Sequence, residues 1–282
     1  MTHATPFEIL LALILVGPVL YYIRRALRGQ QIFIRRIPGI DAIDQAIGRA
    51  VEMGRPVSFT TGLTGLSPLL YACLGVLQHI TRRIARFHSK LIVPANDPEA
   101  LAVTEAVIQN AYRLENRSSQ FDPTTVRFLS SEQFAFASGY VGLVHRENVG
   151  SAFLFGSYAA ESLILAEAGQ RIGALQVAAT VSPEQIPFFI TACDYTLIGD
   201  ELYAAGAYLS KDPVQVGSLR GQDIGKFFLI LMVILGVLIA TVQSMRADKL
   251  IQKDELGLAK IFSTSWEELL GTSPPAPQTE EP

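Results

Sequence analysis

The chain predicts an α/β fold: a Rossmann-like, doubly wound and mostly parallel sheet of about six strands, flanked by two transmembrane helices. Three observations predict it. Between residues 57 and 209, short apolar runs alternate with helix-patterned segments. Most of these runs are uninterrupted, as expected of strands covered on both faces. Two longer apolar segments, Phe7–Ile23 and Gly225–Met245, bracket that region; with their flanks they approach the 20 or so residues that a bilayer core requires.

The first segment, FEILLALILVGPVLYYI, ends abruptly at Arg24, Arg25 and Arg28, and Arg35 and Arg36 follow. A cleaved signal peptide has its basic residues before the apolar region and small residues after it. Here that order is reversed, because MTHATPFE contains no Lys or Arg. The positive-inside rule then makes residues 7–27 an uncleaved anchor, places the leader 1–6 outside, and places Arg24 onward in the cytoplasm. Arg24, Arg25, Arg28, Arg35 and Arg36 therefore read as topology residues. Pro18 is expected to kink this helix, and Tyr21 and Tyr22 suit headgroup level.

Of the 282 residues 49% are hydrophobic, with mean hydropathy +0.31, and the excess lies in the two apolar segments. The net charge of −3 gives no reason to expect nucleic acid as a partner. The lipid bilayer is the partner the composition implies. Cys73 and Cys193, the only cysteines, fall in apolar helical contexts and read as buried free thiols rather than a disulfide or metal pair.

Residues 28–224 form the predicted cytoplasmic domain. Ile40, Ile43, Ala46, Ile47, Ala50 and Val51 have helical spacing, and Gly54 stops the helix. Val57–Thr61 is the first strand. Gly62-Leu-Thr-Gly65 turns the chain, and Ser67-Pro68 caps a helix running to about Phe87. Its apolar start, Leu66–Leu77, is too short to span a membrane. The other strands are Leu91–Pro94, Val126–Leu129, Ala152–Phe155, Ala174–Ala179 and Tyr195–Ile198. Asp97-Pro98-Glu99, Ser130-Ser131-Glu132, Gly156-Ser157, Ser182-Pro183-Glu184 and Gly199-Asp200-Glu201 open the helices between and after them. Phe134–Val144 fits a helix or a strand. Asp212–Ile224 reads as a linker, 225–245 as the second span, 246–270 as an amphipathic tail helix anchored by Trp266, and 271–282 as a disordered tail. The side reached by the tail stays open: either both ends lie outside, or the second segment is re-entrant or tilted with its tail inside. Gly236 and Ala240 are spaced for helix packing.

The candidate ligand-binding residues are Gly62, Thr64, Gly65 and Ser67, in the turn after the first strand. Open parallel sheets bind ligands beyond the strand carboxyl ends, and a helix N-terminus favours anions. The turn is neither G-x-G-x-x-G nor a P-loop, and a tight turn with a Ser-Pro cap accounts for each of its residues. Asp97, Glu99, Glu132, Glu161, Glu184, Asp200 and Glu201 gather on the same rim, where capping explains most of them. Asp200 and Glu201 are the pair it explains least and join the candidates. No cofactor or metal is predicted. His79 and His88 lack the i, i+4 spacing of a ligand pair, and there is neither a G-x-S-x-G elbow nor a C-x-x-C.

IRRIPGIDAIDQAIGRAVEMGRPVSF at Ile34–Phe59, preceded by an apolar helix and followed by the α/β alternation, resembles a family of prokaryotic membrane-anchored proteins catalogued as a domain of unknown function. GDELYAAGAYLSKDP at Gly199–Pro213 is similar to the same family, so the resemblance spans Arg24–Met245. It implies the architecture and assigns no activity, cofactor or catalytic residue.

The expected function is a membrane-tethered interaction or scaffold module, oligomeric through self-association or joined to other membrane-complex subunits, at the plasma membrane with two passes. The alternatives are a membrane-bound nucleotide- or phosphometabolite-binding enzyme using Gly62–Ser67, and an accessory subunit of a transporter or energy-converting complex.

Overall fold

The computed structural model describes residues 6–30, 38–210 and 213–269. Arg35, Arg36, the leader residues 1–5 and the tail 271–282 lie outside the described residues. Residues 1–223 form one compact unit and residues 224–282 a second.

In the first unit, helices α1 (Pro6–Leu27) and α2 (Pro38–Glu52) precede strand β1 (Val57–Gly62). Then follow α3 (Pro68–Phe87), β2 (Leu91–Ala95), α4 (Pro98–Leu114), β3 (Val126–Phe128), α5 (Gln133–Glu147) and β4 (Ser151–Ser157). The domain closes with α6 (Ser162–Arg171), β5 (Leu175–Thr180), α7 (Ile186–Ala192), β6 (Tyr195–Ile198) and α8 (Asp200–Ser210). Helix α9 (Pro213–Leu269) begins in this unit and carries the second. The six strands form one sheet in the order β3-β2-β1-β4-β5-β6, every neighbouring pair parallel. This is the Rossmann order, and it reverses between β1 and β4.

Successive residues of a strand face opposite ways, so the uninterrupted apolar runs supply two cores. Val57, Phe59, Val93, Phe153, Phe155, Val177 and Leu197 pack with α2, α3, α4 and α8 on one face. Ile92, Leu154 and Ala178 pack with α5, α6 and α7 on the other. The Phe59 and Phe155 rings stack across the central strand pair, 5.7 Å between centroids. Pro94 has no N–H to give to a ladder. Beside it, the β1–β2 pairing ends and Thr60 Oγ1 donates to Pro94 O at 3.1 Å.

Phe134–Val144 lies inside helix α5. Phe136, Ala137, Tyr140, Leu143 and Val144 are buried at helical spacing, which a strand would divide between two faces. Ser67 and Asp97 cap their helices, accepting from Leu70 N at 3.4 Å and Glu99 N at 3.0 Å. Ser182-Pro183-Glu184 precedes the helix instead of opening it, since α7 starts at Ile186.

One expectation about the helices flanking the domain is corrected. The stretch 213–224 is helical rather than a linker, and α9 continues unbroken through Leu269 across the predicted span and tail helix. Proline at the first position needs no hydrogen-bond donor there. Among the described residues one helix segment, Pro213–Thr241, is long and apolar enough to cross a membrane. Residues 227–241 are exposed along their whole length.

Glycines four apart explain why 213–223 is helical and packed. A Cβ on Gly217 would stand 2.6 Å from Ile23 Cα, and one on Gly221 would run into Val19 Cα. Gly217 thus meets Ile23 and Gly221 meets Val19, an antiparallel crossing of α1 and α9 in backbone contact, the small-xxx-small geometry of membrane helices. Replacing Gly221 with Leu is expected to lower stability by about 1–3 kcal/mol, the scale of overpacking. Leu at the exposed neighbour Gln222 should leave it unchanged. Thermal unfolding of the full chain in detergent measures both.

Candidate functional site

The reversal of strand order is where this topology ordinarily opens a ligand crevice. Here the loops after β1 and β4 are joined. Gly62, at φ +59°, pairs with Ser157 after a bulge, and a Cβ on it would stand 2.5 Å from the Tyr158 ring and 2.6 Å from Ser157 O. Gly156, at φ +152°, lies so close to Thr61 O that no side chain fits there. Leu63 N donates to Ser157 O at 2.9 Å. The Thr64 hydroxyl donates to Thr61 O at 2.6 Å and accepts from Ser157 N at 2.7 Å. Tyr158 Oη donates to Thr60 O at 3.2 Å. Burial pushes the Tyr158 phenol well above its ordinary pKa, so it remains a neutral donor.

These contacts engage the candidate residues of the turn. Gly62 and Thr64 belong to the seam between the loops, and Thr64 is 3% exposed. Gly65 packs beside the α4 cap, where its Cβ would stand 3.2 Å from Asp97 Oδ2. Ser67 is engaged by the α3 cap. Asp200 and Glu201 lie elsewhere, at the start of α8 after the edge strand β6, three strand spacings of about 4.8 Å from β1. Glu201 Oε2 accepts from Ile198 N at 3.1 Å, a local bond at the helix start. The structure does not bring the two candidate groups together.

Glu161 departs most from a capping role. It is fully buried, accepts from Gln133 Nε2 at 2.6 Å, and takes Ala159 N on both oxygens at 3.0 and 3.1 Å. It therefore ties the start of α5 to the loop after β4 beside the seam. Among the described residues no group of His, Cys, Asp and Glu could hold a metal ion. Cys73 and Cys193 are free thiols, one buried and one half-buried. Burial raises both, Cys193 to about 12, which leaves them protonated and poor nucleophiles.

A second arrangement went unread as a site. His79, Arg82, Arg83 and Arg86 recur at i, i+3, i+4 and i+7 along α3, which places them on one helical face. They line a cavity of about 390 Å³ with residues of α2 and α8, including Asp44 and Tyr208. Asp44 Oδ1 accepts from Arg83 Nε at 3.0 Å and lies 3.1 Å from His79 Nε2. Burial raises the Asp44 carboxyl, but the bonds from Arg83 and His79 outweigh it and hold its pKa below the ordinary value. Burial lowers the His79 pKa against the opposing pull of Asp44. Glu115, just past α4, accepts from Arg86 Nε at 2.6 Å and Nη2 at 2.9 Å, and from Arg82 Nε at 2.7 Å. The Arg86 bond, with Arg82 adding to it, lowers the Glu115 pKa to about 2. The basic spacing was visible in the sequence; its carboxylate partners, 29 to 39 residues away, were not.

The strand order and the closed seam define a class: an α/β protein with Rossmann topology that lacks the glycine fingerprint for dinucleotides. Within it, the chain belongs to the family described as Domain of unknown function (DUF6754), whose model matches residues 3–251. That match contains the whole stretch, Arg24–Met245, over which the resemblance is read. No curated protein and no solved structure matches the chain.

Thr64→Val removes a buried hydroxyl that serves Thr61 O and Ser157 N, and should cost about 1–3 kcal/mol, the range for leaving buried polar groups unpaired. Thermal or denaturant unfolding reads that loss. Glu115 predicts an acid effect. Its folded pKa is depressed, so its contribution is present above the ordinary glutamate pKa of 4.5 and is lost as pH falls toward 2. Wild type should therefore lose more stability than Glu115→Gln across that window in acid-unfolding curves.

Proposed function

We propose that the protein is a membrane-tethered α/β interaction module whose domain serves as a scaffold rather than a catalyst, self-associating or joined to other subunits of a membrane assembly. The observation that carries this reading is the closed seam between the loops after β1 and β4. The position at which this topology would hold a nucleotide is filled by the chain's own Thr64, Ser157 and Tyr158. The deprotonation-resistant thiols and the local helix-start bonds of Asp97 and Glu201 point the same way.

In this reading both α1 and α9 anchor the domain, the N-terminus is outside, and residues 28–224 are cytoplasmic. Arg24 and Arg25, exposed in the last turn of α1, suit the cytoplasmic headgroup level. The glycine-mediated crossing of α1 with α9 supports a helical hairpin, since backbone contact of this kind drives association in lipid, where apolar burial supplies no force.

The test combines ligand screening with gentle extraction of the full chain. Adenine and guanine nucleotides are expected to leave the thermal midpoint unchanged, and the extracted protein is expected to run as an oligomer or with a defined protein partner. A nucleotide-induced shift that disappears in Gly65→Trp would overturn the reading in favour of a nucleotide-binding enzyme. A lone monomer with no co-purifying protein would also count against it.

A further inference from the structure

We infer that the cavity between α2, α3 and α8 is a recognition site for a phosphate ester of a small polyol, a chemistry found both in anionic lipid headgroups and in soluble phosphometabolites. It is independent of the closed seam and goes beyond the scaffold reading.

The argument begins with the arginines. Among the described residues, Arg82 and Arg83 form side-chain hydrogen bonds only through Nε, to Glu115 and Asp44 respectively. Their terminal amino groups are left to a further acceptor at the cavity they line. A guanidinium presents a planar fork of donors that matches two oxygens of a phosphate. Glu115 holds Arg82 and Arg86 on one carboxylate and Asp44 holds Arg83. These pairs restrain the guanidinium groups before a ligand arrives, which lessens the side-chain ordering cost of binding.

Like charges three and four residues apart destabilise a helix. Arg82 and Arg83 each face Arg86 at such a spacing on α3, an arrangement that packing does not require, since the buried face of that helix is Leu70, Cys73, Leu77, Ile80 and Ile84. The negative end of the α3 dipole opposes an anion, but it acts within the last turn, and the stripe extends beyond that turn to His79.

The other lining residues narrow the ligand. Asp44 places a carboxylate beside the arginines, which repels a bare polyanion and can accept from a hydroxyl. Tyr208 adds a ring and a phenol. About 390 Å³ lies near the lower end of small-ligand pockets, roughly 300–1,000 Å³. A single phosphate with a short hydroxylated chain satisfies all of these features. Leu209, on the cavity wall, is four residues before Pro213, so at most about 14 Å of chain separates them. A lipid headgroup is therefore a source within reach, alongside a soluble ester.

Full-length protein in detergent is titrated with glycerol 1-phosphate, with glycerol and sodium chloride as controls, and separately placed in nanodiscs of phosphatidylcholine alone or of an equal mixture with phosphatidylglycerol. Glycerol 1-phosphate is expected to raise the thermal midpoint of wild type, with affinity falling at least about tenfold in Arg82→Gln/Arg83→Gln. Leu209→Trp, which fills the cavity and keeps every charge, is expected to abolish the shift and preserves the test should the double variant fail to fold. A lipid source is indicated if phosphatidylglycerol stabilises wild type more than Leu209→Trp; a soluble source if only glycerol 1-phosphate does so. Absence of a shift from both probes, or a shift equal in wild type and Leu209→Trp, overturns the proposal, the latter assigning anion binding to other basic residues such as Arg24, Arg25 and Arg28.

Discussion

The structure depends on the backbone contact between the ends of β1 and β4. A parallel sheet that reverses its strand order leaves two adjacent strands whose following helices leave toward opposite faces, and the gap between those departures is the usual crevice. Gly62 and Gly156 remove the side chains that would keep the gap open. Thr64 and Tyr158 then bond across it. A Rossmann sheet is in this way kept as a packing solution while its usual opening is closed, and the hydroxyls of Thr60, Thr64 and Tyr158 are engaged within the protein. Fold and function separate here for a reason visible at the level of single atoms.

Charge is distributed with the same economy. The rim above the strands carries carboxylates that mostly serve helix starts, whereas the cations collect toward the other end of α3. Glu115 and Asp44 come from α4's terminus and from α2, so two separate chain segments are needed to neutralise one basic stripe. Such pairs are half-exposed and individually worth little. What they supply is orientation, because a carboxylate that holds Nε leaves the rest of the guanidinium pointing in a defined direction.

Much of the fold was legible in the sequence. All six strands lie where the apolar runs place them, because a strand covered on both faces needs a run of that kind and the Gly, Pro and Ser signals bound it. The caps at Ser67 and Asp97 follow from local chemistry. The closure of the switch point was not legible: nothing local in the residues near 62 reveals that those near 156 are their neighbours, so the Gly62 turn stood as a ligand candidate beside its reading as a tight turn with a Ser-Pro cap. Ser182-Pro183-Glu184 and the glycines 217 and 221 misled for related reasons. The first is a capping pattern that the chain does not use, and the second read as linker composition until α1 supplied a surface for them to pack against. At the candidate site the stripe on α3 was readable as spacing, but its meaning required Asp44, Glu115 and Tyr208, which only the tertiary structure brings to it.

The crossing of α3 and α8 has one more consequence. A Cβ on Gly206 would stand 2.7 Å from Ala72 O, and one on Gly75 3.4 Å from Gly206 O, so the two helices touch backbone to backbone with no compliant side-chain layer between them. Helix α8 leads within a few residues into α9. A pull on the end of α8 therefore cannot be absorbed by rotamer changes at the crossing and is transmitted to α3 as a rigid displacement.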